Sequence, residues 1–173
     1  MSFERRIVLD PKGSILGAGP KVSSVRGMHR ASNETREVFE AWCNHKRDGR
    51  LPRLADLYPD ALRDLLPSIL VVDVLEAEQD YRYRIVGALE IETRMSDPTG
   101  RTVREYYAYH PESLDFCLEN YDLAVASAWG VIDFSVEAST NPNYLELETL
   151  LLPLSEDGTH VTQVLVYSHY VPH

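Results

Sequence analysis

Residues 68–88 read SILVVDVLEAEQDYRYRIVGA, two runs of Val, Ile, Leu and Tyr on either side of the polar stretch Glu76–Asp80. β-branched and aromatic side chains suit a pleated, half-buried surface, and a short polar interruption between two such runs is a hairpin signal. The stretch therefore predicts a β-hairpin. Upstream of it the pattern is helical. Residues 32–50, SNETREVFEAWCNHKRDGR, offer Ser32 as N-cap, an acid in the first turn, basic residues at the end and the terminating Gly49. Val38, Phe39, Trp42 and Cys43 form one apolar stripe on this helix, fit to dock on a sheet or on a second copy. Residues 51–67, LPRLADLYPDALRDLLP, predict a turn and then a short helix from about Asp60, stopped at Pro67.

Downstream, residues 88–101 (ALEIETRMSDPTGR) allow a short helix that Asp97-Pro98 and Gly100 terminate. Residues 111–129 open on Pro111 and carry Leu114, Cys117, Leu118, Tyr121 and Val125 at helical spacing. Three strands follow, WGVIDFSVEA (129–138), NYLELETLLLPL (143–154) and HVTQVLVYSHYV (160–171), separated by turns at Asn141-Pro142 and Glu156-Asp157-Gly158. Alternation places Ile132, Phe134 and Val136 on one face, and Asp133 and Ser135 on the other, which reads as wet. Strands and helices fall in separate blocks, which argues against βαβ winding. The expectation is an α+β fold with a five-stranded antiparallel sheet, helices on one face and an N-terminal helical extension.

With 173 residues, 44% of them hydrophobic and 25% charged, the sequence is the size of one globular domain. The longest apolar runs are far below the ~20 residues a membrane-spanning helix needs. The start, MSFERRIVLDPKG, follows its arginines with too short an apolar run for a signal peptide. Cys43 and Cys117 are far apart and form no CxxC pair, so the sequence suggests neither a disulfide framework nor a zinc site, and it fits a reducing cytoplasm. A net charge of −10 opposes binding to nucleic acid or to anionic membrane. Residues 1–30 are the exception, with six basic side chains against two acidic ones, and read as a flexible basic arm; residues 31–173 read as one domain. Within the arm, GSILGAGP lacks the flanking elements and the Lys-Ser/Thr pair of a phosphate loop.

The element order ββ-helices-βββ is the PAS arrangement. The segments LPRLADLYPDALRDLLPSILVVDV, YRYRIVGA, DPTGRTVREY and LLLPLSEDGTHV together resemble the bacterial PAS branch known as PAS family five, from about Phe39 to Val171. The resemblance implies a sensory or regulatory module that holds an unidentified small molecule between sheet and helices, or dimerises, and biases a protein partner. It fixes no cofactor. Many sensory PAS proteins continue from the last strand into a signalling helix, whereas this sequence stops at His173. The expectation is a stand-alone domain acting in trans through the helix around Trp42, an exposed sheet face, or a homodimer.

The candidate ligand-binding residues are Tyr83, Arg84, Tyr106, Tyr107, Phe116, Tyr121, Trp129 and Phe134. A tyrosine ring buries apolar area while its hydroxyl either orients a ligand or bonds to backbone. Arg84 and Arg101 each either form a structural ion pair or anchor an anionic ligand. The PAS flavin-adduct word, Asn-Cys-Arg, is missing from ALEIETRM; Cys117 reads as a buried thiol, and His110 is the best-placed residue for an axial haem ligand. Cys43-Asn44-His45 has no further ligand to complete a metal site, so none is expected. A catalytic reading would pair Asp133 with His169 as acid and base; no nucleophile word supports it, and the expectation is a non-enzyme.

Overall fold

The structure is a computed structural model that describes residues 5–9 and 25–173. The hairpin at 68–88 forms as β2 (Ile69–Leu75) and β3 (Asp80–Val86). The remaining strands are β1 (Arg6–Val8), β4 (Val131–Asp133), β5 (Glu137–Ala138), β6 (Tyr144–Leu154) and β7 (Gln163–Pro172). All pairings are antiparallel, in the order β1-β4-β6-β7-β2-β3, with β5 beside β6. The five expected strands are present, and two short ones join them. β5 is the tail of the run 129–138, separated from β4 by residues 134–136. β1 comes from the segment assigned to the arm, where Ile7 is buried against the sheet and Leu9 N–H donates to the Gly130 carbonyl at 3.0 Å. Residues 10–24, the rest of the glycine- and proline-rich stretch, lie outside the described residues.

The helical layers occupy both faces. On the first face lie α1 (Asn33–His45), α2 (Leu54–Leu57) and a 3-10 segment (Asp60–Ser68). Val38, Phe39 and Trp42 pack there with Leu150, Leu152, Leu165 and Tyr167. On the second face lie α4 (Val103–Tyr106) and α5 (Pro111–Ser127), with α3 (Ala88–Arg94) at one end. Leu118, Tyr121 and Ala124 of α5 meet Leu70, Val72, Leu151 and Val166. The N-terminal extension therefore covers the sheet face that the sequence left open for output. The helix expected from Asp60 is a 3-10 segment, because Pro67 lies inside it and Leu62 departs from helical angles. Gly87 sits where α3 leaves the hairpin, and a Cβ there would come within 2.4 Å of the Leu66 and Pro67 carbonyls.

Asp133 corrects the expectation of a wet face. The alternation holds, since Ile132 faces α1 and Asp133 faces α5, but α5 covers that side and leaves Asp133 only 2% exposed.

A buried carboxylate fastens α1 to the sheet. Ser32 caps the helix, its Oγ accepting from Thr35 N–H at 3.2 Å. Glu148 of β6 then accepts from Ser32 N–H at 2.9 Å, Ser32 Oγ–H at 3.0 Å and Thr35 Oγ1–H at 2.6 Å. An acidic group at a helix N-terminus satisfies orphan donors and complements the dipole. On the same face Trp42 Nε1–H donates to the Pro153 carbonyl at 2.9 Å. Replacing Glu148 by Leu should lower the unfolding free energy by about 2–4 kcal/mol, combining a lost cap with buried donors left unpaired. Urea denaturation would measure this. Glu76→Ala on the exposed hairpin turn should change stability by less than about 0.5 kcal/mol, and an equal loss in both variants would refute the role given to Glu148.

Candidate functional site

Between α5 and the strands β4, β6 and β7 lies a cavity of about 200 Å³, closed at one end by α3 and α4. Leu70, Leu151, Val166, Phe116 and Tyr121 supply apolar wall, and hydroxyls of Ser113, Ser168, Thr149 and Tyr170 interrupt it. The period-two rule explains the sheet side. Val166, Ser168 and Tyr170 face the cavity, so Leu165, Tyr167 and, by the same parity, His169 face α1. A β-bulge at Leu147 lets Glu146 pair with Tyr170 on the cavity side while Glu148 pairs with His169 on the α1 side.

At the α3 end the polar centre is Arg94. Its Nε and Nη2 donate to Glu90 Oε2 at 3.3 and 3.2 Å, and its Nη1 donates to Tyr107 Oη at 3.1 Å. The guanidinium lies 5.8 Å from the Tyr83 ring and 5.7 Å from the Tyr106 ring. Tyr170 Oη–H also donates to Glu90 Oε2, at 3.3 Å. Glu90 is fully buried, and burial pushes its carboxyl up to about 7 against the pull of Arg94. Burial likewise raises the phenols of Tyr83, Tyr107 and Tyr121, which stay neutral.

At the other end Asp133 accepts from Asn120 Nδ2–H at 3.0 Å and from Ser135 N–H at 2.8 Å. Arg6 of β1 places Nε 3.6 Å from Asp133 and Nη1 3.1 Å from Glu119, and its guanidinium lies 5.1 Å from the Phe116 ring. The edge strand is thereby tied to α5 and to the cavity wall. Cys117 also lines the cavity, with its thiol pushed up to about 12 by burial, so it is not a thiolate.

Tyr106, Tyr107, Phe116 and Tyr121, four of the residues singled out in the sequence, come together on this cavity. Tyr83 lies beneath Arg94, 1% exposed. Three others stand elsewhere. Arg84 is the bulged residue of the edge strand and reaches outward to Asp73 at 3.4 Å. Trp129 follows the end of α5 and packs edge-on against Trp42, with Lys46 Nζ 3.7 Å from its ring centre. Phe134 shares the parity of Ile132 and turns to the α1 side, beneath the Arg30 guanidinium. Arg101 is exposed and bonds the Glu105 carbonyl, and His110 is exposed at the start of α5, outside the cavity lining. Asp133 and His169 face opposite sides of the sheet, so they form no dyad. Among the described residues no cluster of three or more His, Cys, Asp or Glu could hold a metal, and no helix is long and apolar enough to cross a membrane. The sequence reading missed Glu90, Arg94, Asn120, Glu146, Ser168 and Tyr170. The word ALEIETR carried a signal for two of them, since Glu90 and Arg94 stand at i, i+4 on a helix that must pack against the hairpin.

The family model PAS_5, described as PAS domain, matches residues 30–166. This chain belongs to the PAS domain family. Among solved structures, the PAS domain is similar to a sensory box sensor histidine kinase from Vibrio cholerae, with 20% identity and a TM-score of 0.43, covering 68% of this chain and 91% of that one. It is also similar to an RNA-binding light-oxygen-voltage receptor, with 19% identity and a TM-score of 0.44, covering 70% of this chain and 34% of that one. No curated protein matches it.

The raised carboxyl makes a signed prediction. A folded-state value of about 7 against an ordinary 4.5 means the folded PAS domain binds the extra proton, so its contribution to stability is full below pH 4.5. That contribution is lost as pH rises towards 7, by up to about 3 kcal/mol. Glu90→Gln cannot lose a proton, so the stability of the wild type relative to this variant should fall between pH 5 and pH 8, measured by urea melts across that range. A pH-independent difference would return Glu90 to an ordinary carboxyl.

Proposed function

We propose that this PAS domain is a sensory or regulatory module that holds a small molecule in the α5 cavity and reports its presence through contact with a protein partner or a second copy. The carrying observation is the cavity itself, in which Leu70, Phe116, Leu151 and Val166 stand among a majority of polar side chains, a lining that suits a small polar molecule better than an apolar one. Its 200 Å³ lies below the roughly 300–1,000 Å³ of drug-sized sites, which favours a small metabolite. The same size favours, as a second reading, a ligand-free interaction adaptor of the same fold.

A route from cavity to surface supports the sensory reading. Phe116, Asn120 and Asp133 line the cavity, and Arg6 touches both Phe116 and Asp133, so an occupant that moves α5 acts on the β1 edge. The reading carries no catalysis. The two cysteines are unpaired, with both thiols raised by burial, which fits a structural role in a reducing bacterial cytoplasm.

Native mass spectrometry of freshly purified protein, compared with its denatured mass, tests the proposal. The expected result is an excess mass on the native protein that denaturation releases, whose loss alters the monomer-dimer balance or partner binding. Native spectra that show only the bare chain across several preparations would favour the adaptor.

A further inference from the structure

Among the described residues that line the cavity, Arg94 is the one cation, and its side chain is 17% exposed. Three contacts hold it in place. Nε and Nη2 donate to Glu90 Oε2 at 3.3 and 3.2 Å, and Nη1 donates to Tyr107 Oη at 3.1 Å. The rings of Tyr83 and Tyr106 lie 5.8 and 5.7 Å from the guanidinium and hold it further. A guanidinium carries about five N–H groups, two of them on each Nη. One N–H on each Nη is therefore left without an acceptor among the described residues. Tyr107, which also lines the cavity, accepts from Arg94 and keeps its own hydroxyl proton, because burial raises its phenol; no described residue accepts that proton.

Glu90 thus matches the charge of Arg94 without using all of its donors. An occupant that meets these donors must bring an acceptor, and the surrounding charge decides of which kind. Asp133, Glu137 and Glu146 line the same cavity, and Glu90 lies behind Arg94. Arg94 and Arg6, the latter beside Asp133, are the cations set against these four acids. A carboxylate would exchange water for a site in which acids outnumber cations, and would be repelled. An ammonium would offer the Arg94 N–H and Tyr107 O–H groups no acceptor, and would leave them stripped of water and unpaired. A hydrocarbon would do the same.

On the ligand-binding reading above, we infer that the ligand is a small uncharged carbonyl compound of the amide or urea class, its oxygen accepting from Arg94 Nη–H and Tyr107 Oη–H. A carbonyl oxygen has two acceptor lone pairs, which suits two converging donors. The N–H groups of an amide or urea supply donors to a lining rich in carboxylates and hydroxyls, and they add no charge. The hydrocarbon part lies against Leu70, Leu151 and Val166. The cavity volume of about 200 Å³ keeps that part short.

The test is ligand-observed NMR on the full chain, with butyramide and propylurea as probes and butyrate, butylamine and butanol as controls of matched size. It is run at about pH 8, above the value of about 7 to which burial raises Glu90, so that the pair with Arg94 stays charged. The amide and the urea should bind more tightly than the three controls. Arg94→Met should weaken them at least about tenfold, the loss expected for a hydrogen bond to a charged group, and Tyr107→Phe about fivefold. Glu76→Gln on the distant hairpin turn should leave them unchanged. Should Arg94→Met fail to fold, Glu90→Met combined with Arg94→Met exchanges the whole buried pair for apolar side chains and serves the same purpose. Butyrate or butylamine binding as well as the amide would overturn the inference and leave the sensory reading standing, as would amide binding that survives the loss of Arg94. If no probe binds, the inference falls, and native spectra decide the reading beneath it: a retained mass keeps the sensory reading, and the bare chain removes both.

Discussion

Strands β6 and β7 lie at the middle of a sheet that is covered on both sides, and the two-residue period of their side chains serves two cores at once. Leu150, Leu152, Leu165 and Tyr167 enter the core under α1, and Leu151, Val164 and Val166 enter the one under α5. A slip of one residue would exchange the two sets and turn Ser168 and Tyr170 away from the cavity. Strand β6 itself contains such an exchange. At the Leu147 bulge Glu146 stays with the cavity and Glu148 crosses to cap α1. Cavity polarity and helix docking therefore depend on the same local irregularity.

Burying charge is costly unless partners are supplied, and this fold supplies them unevenly. Glu148 is surrounded by donors. Around the cavity the matching is incomplete: Glu90 Oε1, Tyr83 Oη, Asn120 Oδ1 and Arg6 Nε are buried without hydrogen-bond partners, and of such atoms among the described residues only Gln163 Oε1 stands elsewhere. Most buried polar atoms in proteins are paired, so these four atoms set the surroundings of the cavity apart from the rest of the described core. The same region holds the carboxyl displaced furthest towards neutrality, Glu90.

The covering of both faces also narrows how the domain can meet other molecules. With α1 on the first face, the sheet offers its edges: the short strands β1 and β5 on one side, and on the other β3, where residues 100–102 already pair with Arg82 and Tyr83. That backbone pairing, with Arg82 and Arg84 exposed beside it, leaves little of the β3 edge free for another strand. The opposite edge is where Arg6 ties β1 to α5 and to Asp133, so cavity and edge share contacts.

Much of the fold was legible in the sequence. The hairpin at 68–88, the Ser32 cap, the long helix from Pro111 and the last two strands each carry strong local signals of period, capping and turn chemistry, and local signals are what a sequence displays directly. The aromatic half of the site was legible for the same reason, since Tyr106, Tyr107, Phe116 and Tyr121 sit on or beside predicted helices. Which face each residue serves was not. Arg84, Trp129 and Phe134 left the site, and Glu90, Arg94, Asn120 and Glu146 entered it, because a bulge, a helix end or a second covered face reverses a side chain without changing the pattern around it. A wet face and a polar cavity wall look alike as alternating residues. Only the docking of α5 over Asp133 and of α1 over Glu148 decided between solvent and interior, since burial is a property of long-range packing that no local period encodes.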